Sequence, residues 1–326
     1  MLASFIDLCK YYALFLLPRG APIKRLPELP PWGILHDLMN PGFEMKDYSQ
    51  WFTEFSEASG VGFGLKIRAC LHEEQTPFQH IAIYDTLSFG HLMVIDGCIM
   101  LTTRDNFLYH EMISHPALFT HPNPKRVVII GGGDCGTLKE VLKHPIESAI
   151  QIEIDEKVTR LSEVYFPELC THNHDKRAQL LFLDGIRWMQ EAPSNSADII
   201  IVDSTDPIGP AEGLFNEAFY RECHRVLAPQ GILVQQSESP LIHQQLQREM
   251  RSAMRNAGFD NLLTQAFPQP VYPSGWWSAT LASKAGDLTH FRRDQALWER
   301  LGTQYYQFDL HQALLSPPPF MQKALA

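Results

Sequence analysis

The sequence predicts a doubly wound α/β domain with a mostly parallel sheet, preceded by a small antiparallel β domain. Three observations carry that expectation. Apolar runs of four to six residues alternate with helical segments between 126 and 236, the pattern of parallel strands covered on both faces. Period-2 alternation holds instead over 62–103, the mark of antiparallel strands joined by tight turns. The first apolar strand runs straight into a glycine-rich turn at Gly131.

In chain order, residues 1–45 read as an N-terminal extension. Tyr11–Leu17 is an apolar run expected to pack as a helix; its seven residues fall far short of a membrane span, which takes about 20. Neither a basic start nor a small-residue cleavage site marks a signal peptide. Pro18, Pro22, Pro27, Pro30, Pro31 and Pro41 make 18–42 an extended connector. Residues 46–108 hold the β domain. There Leu65, Ile67 and Ala69 share a face, His80–Tyr84 and Leu92–Ile95 follow, and Gly90-His91 and Asp96-Gly97 are the turns. Residues 109–326 hold the second domain. Its strands are expected at Val127–Ile130, Ala149–Ile154, Ala178–Leu183, Ile199–Val202 and Ile232–Gln235. Helices are expected at Thr137–Lys143, Glu156–Tyr165, Gly185–Gln190 and Asn216–Val226.

Composition narrows the function. A chain of 326 residues suits about two domains, at roughly 150 residues each. With 45% hydrophobic and 20% charged residues it is not a disordered chain. A formal charge of −10 repels phosphate backbones, so nucleic acid is not an expected partner. Cys9, Cys70, Cys98, Cys135, Cys170 and Cys223 contain no CxxC pair and read as reduced thiols of a cytoplasmic protein.

The strand Arg126–Ile130 leads into Gly131-Gly132-Gly133-Asp134-Cys135-Gly136 and then a helix, so Gly131, Gly133 and Gly136 match the Rossmann-like G-x-G-x-x-G in its proper setting. Glycines there let the backbone approach a ligand closely. The next strand ends at Glu153-Ile154-Asp155, where a carboxylate can hold a ribose diol. A third ends at Asp184-Gly185, beside the expected adenine. Asp155 could instead cap the following helix, and Asp184-Gly185 could be only a turn. Asp134 sits where a dinucleotide would place its pyrophosphate, and its charge would repel two phosphates. The same carboxylate attracts an ammonium group. S-adenosylmethionine therefore fits better than NAD, and decarboxylated S-adenosylmethionine fits best, because its aminopropyl end carries no carboxylate.

The fourth strand delivers Asp203-Ser204-Thr205-Asp206-Pro207, two carboxylates three residues apart. A primary amine, with a pKa near 10.4, is neutral in roughly one part per thousand or less at pH 7, a deficit of about 4–5 kcal/mol. A positioned carboxylate that takes the proton addresses that deficit.

These residues resemble the polyamine aminopropyltransferases, the spermidine synthase family. The matches are Arg104-Asp105, Tyr109-His110-Glu111-Met112, Gly131–Gly136, Glu153-Ile154-Asp155, Asp184-Gly185, Asp203–Gly209 and Tyr272-Pro273-Ser274-Gly275, over about 50–285. The resemblance implies a methyltransferase-like sheet and transfer of the aminopropyl group of decarboxylated S-adenosylmethionine to a diamine, usually putrescine, with methylthioadenosine released. It implies no cofactor and no metal, and a homodimer or homotetramer as the assembly. By matching position, Asp206 is the base, and Asp203 and Tyr109 orient the amine. Asp134 holds the aminopropyl ammonium, and Glu153, Asp184, Gln79 and His110 hold the nucleoside. Trp51 and Tyr272 line the diamine channel, with Gln236 and Glu238 toward the distal amine. Thr103 and Asn106 stand where the family commonly has glutamates, and Cys135 where glycine is usual.

Other readings carry less. His110 and His115 make no usable metal motif, because helical residues five apart point about 140° away from each other. His172-Asn173-His174-Asp175 is a polar loop, and Trp276-Trp277 a strand that also walls the site. An N-methyltransferase using intact S-adenosylmethionine would bring a carboxylate against Asp134. A non-catalytic polyamine-binding relative would not need both Asp203 and Asp206.

Overall fold

The computed structural model describes residues 50–325, apart from 58 and 208. The helix expected at Tyr11–Leu17 and the connector over 18–42 lie outside the described residues. Strands β1 (Trp51–Ser56), β2 (Val61–Gln75), β3 (His80–Thr86), β4 (His91–Ile95) and β5 (Cys98–Thr102) form an antiparallel sheet in chain order. The β4–β5 turn has positive φ at both Asp96 (49°) and Gly97 (84°), a geometry whose twist matches that of the flanking strands. β1 precedes the alternating stretch from which the sheet was expected.

Alternation sorts this sheet into two faces, and both are covered. Ile81, Ile83, Met93 and Ile95 pack against Val158, Leu161 and Phe166. Ala82, Leu92, Val94 and Ile99 pack with Leu65 and Val271.

The helix α1 (Asn106–Thr120) connects to the second sheet. It is buried almost throughout, and it sends His110 and His115 to different partners. Then follow β6 (Arg126–Gly131), α2 (Gly136–Leu142), β7 (Ser148–Glu153), α3 (Glu156–Tyr165), β8 (Ala178–Phe182), α4 (Gly185–Glu191), β9 (Ala197–Asp203), α5 (Glu217–Val226) and β10 (Leu227–Gln236). Beyond the expected elements come α6 (Gln244–Asn256), β11 (Asn261–Pro268), β12 (Trp276–Ser283), α7 (Gln295–Leu301), α8 (Phe308–Leu314) and α9 (Pro319–Leu325). The strand order is β11-β12-β10-β9-β6-β7-β8; β10, β9, β6, β7 and β8 run parallel, and β12 and β11 pair antiparallel. One core joins α1 and α2 with α7 beneath the sheet, and the other joins α4, α5 and α6 on the opposite face. Residues 49–326 form one compact unit, and the boundary expected between 108 and 109 falls inside α1.

From β6 the chain winds outward through β7 and β8, then returns to β9 on the other side. Such a reversal opens a crevice at the carboxyl ends of β6 and β9, where ligands bind in this architecture. Gly131 lies opposite Asp203 in the ladder, so the glycine turn and the carboxylate loop are neighbours by strand register.

Glu111 locks the C-terminal segment onto α1. Its buried carboxylate accepts hydrogen bonds from the backbone N–H groups of Gln304 (2.8 Å), Tyr305 (2.9 Å) and Tyr306 (2.8 Å). An amide there loses the charge and turns a donor toward other donors. Glu111→Gln is expected to cost about 1.5–3 kcal/mol of stability, read as a lower urea midpoint; an unchanged midpoint would show the segment is held by packing alone.

Candidate active site

A single cavity occupies the crevice, walled on one side by β4 and β5 of the first sheet. Its floor is the glycine turn. Gly131 has φ 83°, and a Cβ there would stand 2.1 Å from the carbonyl oxygen of Asp203. At Gly133 a Cβ would meet Val158 at 2.8 Å and the Glu153 carboxylate at 2.9 Å. Neither position admits a side chain without moving the groups that form the site. Gly136 lies outside the cavity lining and has a different constraint, since its bare Cα accommodates the ring of His110.

Strand ends and loops supply the remaining polar groups. Glu153 lines the cavity and accepts the N–H of Asp155 at 2.9 Å; burial pushes its carboxyl up to about 7. Asp184 and Gly185 line it too, and Asp184 also caps α4 by accepting from Ile186 N–H at 2.8 Å. Gln79 reaches in from the first sheet. Its amide donates to Asp155 at 3.1 Å, Thr76 donates to the same oxygen at 2.7 Å, and Asp155 also caps α3. Asp155 itself is buried outside the lining, so it acts on the cavity through Gln79 and, by its N–H, through Glu153.

Two groups of carboxylates face each other across the switch point. Asp134 and His110 make the first, with the His110 Nε2 atom 3.2 Å from the Asp134 carboxylate. Burial opposes charge on both, yet the pairing prevails: His110 is raised and Asp134 lowered. Asp203 belongs to this group, raised by burial and then by Asp134. Its two oxygens accept from Tyr109 Oη at 2.7 Å and Thr137 Oγ1 at 2.6 Å. The Tyr109 ring meets Tyr272 edge-on at 6.2 Å.

Asp206, Glu238 and Glu54 make the second group. Burial, reinforced by a hydrogen-bonded Glu238, pushes Asp206 up to about 8. Burial also pushes Glu238 up to about 7. Glu54 accepts the N–H of Ile99 at 2.7 Å, but burial still pushes it up to about 7.

Several placements differ from the sequence expectation. Trp51 is 41% exposed on β1 and outside the cavity lining. Three residues along an extended strand is an odd step, so Glu54 projects to the opposite face and lines the cavity in its stead. Glu238 also lies outside the lining, buried behind Asp206, whereas Gln236 is in it. Glu54 went unnoticed in the sequence because it belongs to no motif. So did Gln269, whose buried side-chain oxygen has no partner and which lines the cavity with Trp277. Of the two departures at the family's glutamates, Asn106 lines the cavity and donates to the Thr102 carbonyl at 2.8 Å, while Thr103 is exposed outside it.

Among the described residues the lining holds seven carboxylates (Glu54, Asp96, Asp134, Glu153, Asp184, Asp203 and Asp206) and no lysine or arginine.

Two family models match end to end. "Spermidine synthase tetramerisation domain" covers residues 50–103, and "Spermine/spermidine synthase domain" covers 106–293. The chain belongs to the spermine/spermidine synthase family. It is thus an aminopropyltransferase, with a Rossmann-like sheet behind an antiparallel one. A polyamine aminopropyltransferase of Methylococcus capsulatus is 63% identical over 86% of this chain and 99% of its own. One from Xanthomonas euvesicatoria is 59% identical over the same shares. Among solved structures, a spermidine synthase in complex with the transition state analogue AdoDATO aligns with a TM-score of 0.81 and 33% identity, over 86% of this chain and 97% of that one. The spermidine synthase of Thermotoga maritima aligns at 0.79 and 32%, over 89% and 98%. No helix among the described residues is long and apolar enough to cross a membrane.

Proposed function

We propose that this enzyme moves the aminopropyl group of decarboxylated S-adenosylmethionine onto a diamine, putrescine in the first instance, yielding spermidine and methylthioadenosine. The seven-carboxylate, lysine- and arginine-free lining carries this reading. Both substrates are dications near pH 7, and burying them without counter-charges would be prohibitive.

The nucleoside lies over the glycine turn, with Glu153 at its ribose and Asp184, Gln79 and His110 around the rest. Asp134, paired with His110 in the free enzyme, takes the aminopropyl ammonium. Asp203 and Tyr109, hydrogen-bonded to each other, seat the attacking amine beside the carbon attached to sulfur. Asp206 takes the amine proton. Its raised pKa favours that role, and both oxygens of Asp203 are already engaged by hydroxyl donors. Glu54, Gln236 and Gln269 receive the distal ammonium, and Tyr272 walls the chain between. The sulfonium is its own leaving group, so alignment and proton acceptance are what the protein supplies.

The family's description of residues 50–103 supports a homotetramer, and the exposed Trp51, Phe55, Leu71 and Leu87 of the first sheet suit a buried contact. Five described cysteines, all free, accord with a reducing cytoplasm.

Incubation with decarboxylated and intact S-adenosylmethionine and a mixture of diamines, read by mass spectrometry, tests the reaction. Methylthioadenosine and an amine heavier by one aminopropyl unit are expected. S-adenosylhomocysteine with a methylated amine would instead mean that a methionine carboxylate is tolerated beside Asp134.

A further inference from the structure

Transfer of an aminopropyl group to an ammonium acceptor releases a proton. One N–C bond forms while the C–S bond breaks; sulfur keeps that electron pair and leaves as a neutral thioether. The acceptor nitrogen begins as a primary ammonium and ends as a secondary ammonium, so one proton departs per turnover. Asp206 faces the cavity that the substrates fill, and it must pass that proton on before the next cycle.

We propose that Asp206, Glu238 and His243 form the exit route, carrying the proton from the reacting amine to solvent. Asp206 and Glu238 are hydrogen-bonded carboxyl groups. Glu238 Oε2 lies 2.9 Å from Nδ1 of His243, and its Oε1 accepts from Gln236 Nε2 at 3.5 Å. From Glu238 outward exposure rises: the Glu238 side chain is 2% exposed and that of His243 25%. A carboxyl group can donate to a neutral imidazole, and an imidazolium can donate back, so the contact persists whichever partner holds the proton.

The backbone of Glu238 supports a dedicated role. It has φ 60°, a left-handed conformation uncommon for a residue with a side chain. The surroundings enforce it. Glu238 N–H donates to Gln236 Oε1 at 3.1 Å, and the Glu238 carbonyl accepts from Ser278 Oγ at 2.7 Å and Gln247 Nε2 at 3.4 Å. Strain of this kind persists where a side chain must be aimed. His243 is faced by Glu238 and Asp206 from the strand-end loops and by Glu54 from the first sheet. The Trp277 ring of β12 meets it edge-on at 6.3 Å, and Ser239 N–H approaches Nδ1 at 3.4 Å. Burial lowers the His243 pKa, so a proton arriving there is readily given up to water. His243 touches no substrate in this scheme; it acts through Glu238.

His243→Gln tests the route, because an amide can hold Glu238 but cannot carry a proton. Steady-state kcat is expected to fall about tenfold, with the diamine KM within about twofold, and added imidazole should restore the rate. The first turnover, followed by rapid quench, should be nearly unaffected, since the carboxyl pair can store one proton. An unchanged kcat, or a loss that imidazole does not restore, overturns the proposal; His243→Asn, made in parallel, guards against a folding failure of one variant. The inference rests on Asp206 as first acceptor in aminopropyl transfer. Failure of that reading appears as absent methylthioadenosine in the unaltered enzyme, whereas failure of the route appears as undiminished or unrescued turnover in an active one.

Discussion

Asp206→Asn should lower kcat by about 10²–10⁴-fold at pH 7, the range expected when a positioned base is removed. The amide matches the carboxylate in shape, so what is lost is proton acceptance. The attacking amine must then be deprotonated by solvent, and its neutral fraction rises tenfold per pH unit until about pH 10. The variant's kcat/KM should therefore climb steeply with pH, where the parent levels off. Asp203→Asn should differ, because Asp203 holds Tyr109 and Thr137 at 2.7 and 2.6 Å and is argued to orient the amine. A pH-rescued loss at Asp203, with Asp206→Asn changing only the diamine KM, would transfer the base role to Asp203.

Diamine binding should tighten as pH rises from 6 to about 8. Burial pushes Asp206 up to about 8, and Glu238 and Glu54 up to about 7, so the free enzyme holds protons there at pH 6. A dication favours the ionised forms and expels those protons. For one proton released, affinity gains about tenfold per pH unit, flattening above pH 8 while the amines stay charged to about pH 10. The sign for folding is opposite. Carboxyls raised in the folded state bind more protons there than in the unfolded chain. Their contribution to stability is present in full below about pH 4 and is lost as pH climbs through about 7–8. Diamine should accordingly raise the melting temperature more at pH 8 than at pH 6. Titration calorimetry in two buffers of different ionisation enthalpy counts the released protons; a heat independent of buffer would refute the linkage.

The fold was legible because each βα unit repeats one pattern, an apolar strand and then an amphipathic helix. Asp134, Glu153, Asp184 and Asp203 were legible for a related reason: each sits at or just beyond a strand's carboxyl end, and parallel strands bring those ends together. Glu54 was not legible. It lies on a short strand with no motif, and its rank over Trp51 rests on which face of β1 turns inward. Glu238 was found, but not its depth; its carboxylate reaches Asp206 from behind the cavity wall through a left-handed backbone that no local pattern announces.

The alternation of strands and helices and the glycine turn follow from contiguous residues, since hydrophobic period and φ preference act within a few positions of the chain. By itself, then, the sequence determined the five parallel strands, the glycine turn and the presence of carboxylates at their carboxyl ends. Only tertiary structure decided how those carboxylates divide into a group around Asp134 and Asp203 and another around Asp206, Glu238 and Glu54. Burial and mutual distance set their protonation, and both depend on strands β1, β6, β9 and β10, which are far apart in the chain and meet only when the two sheets close over the crevice.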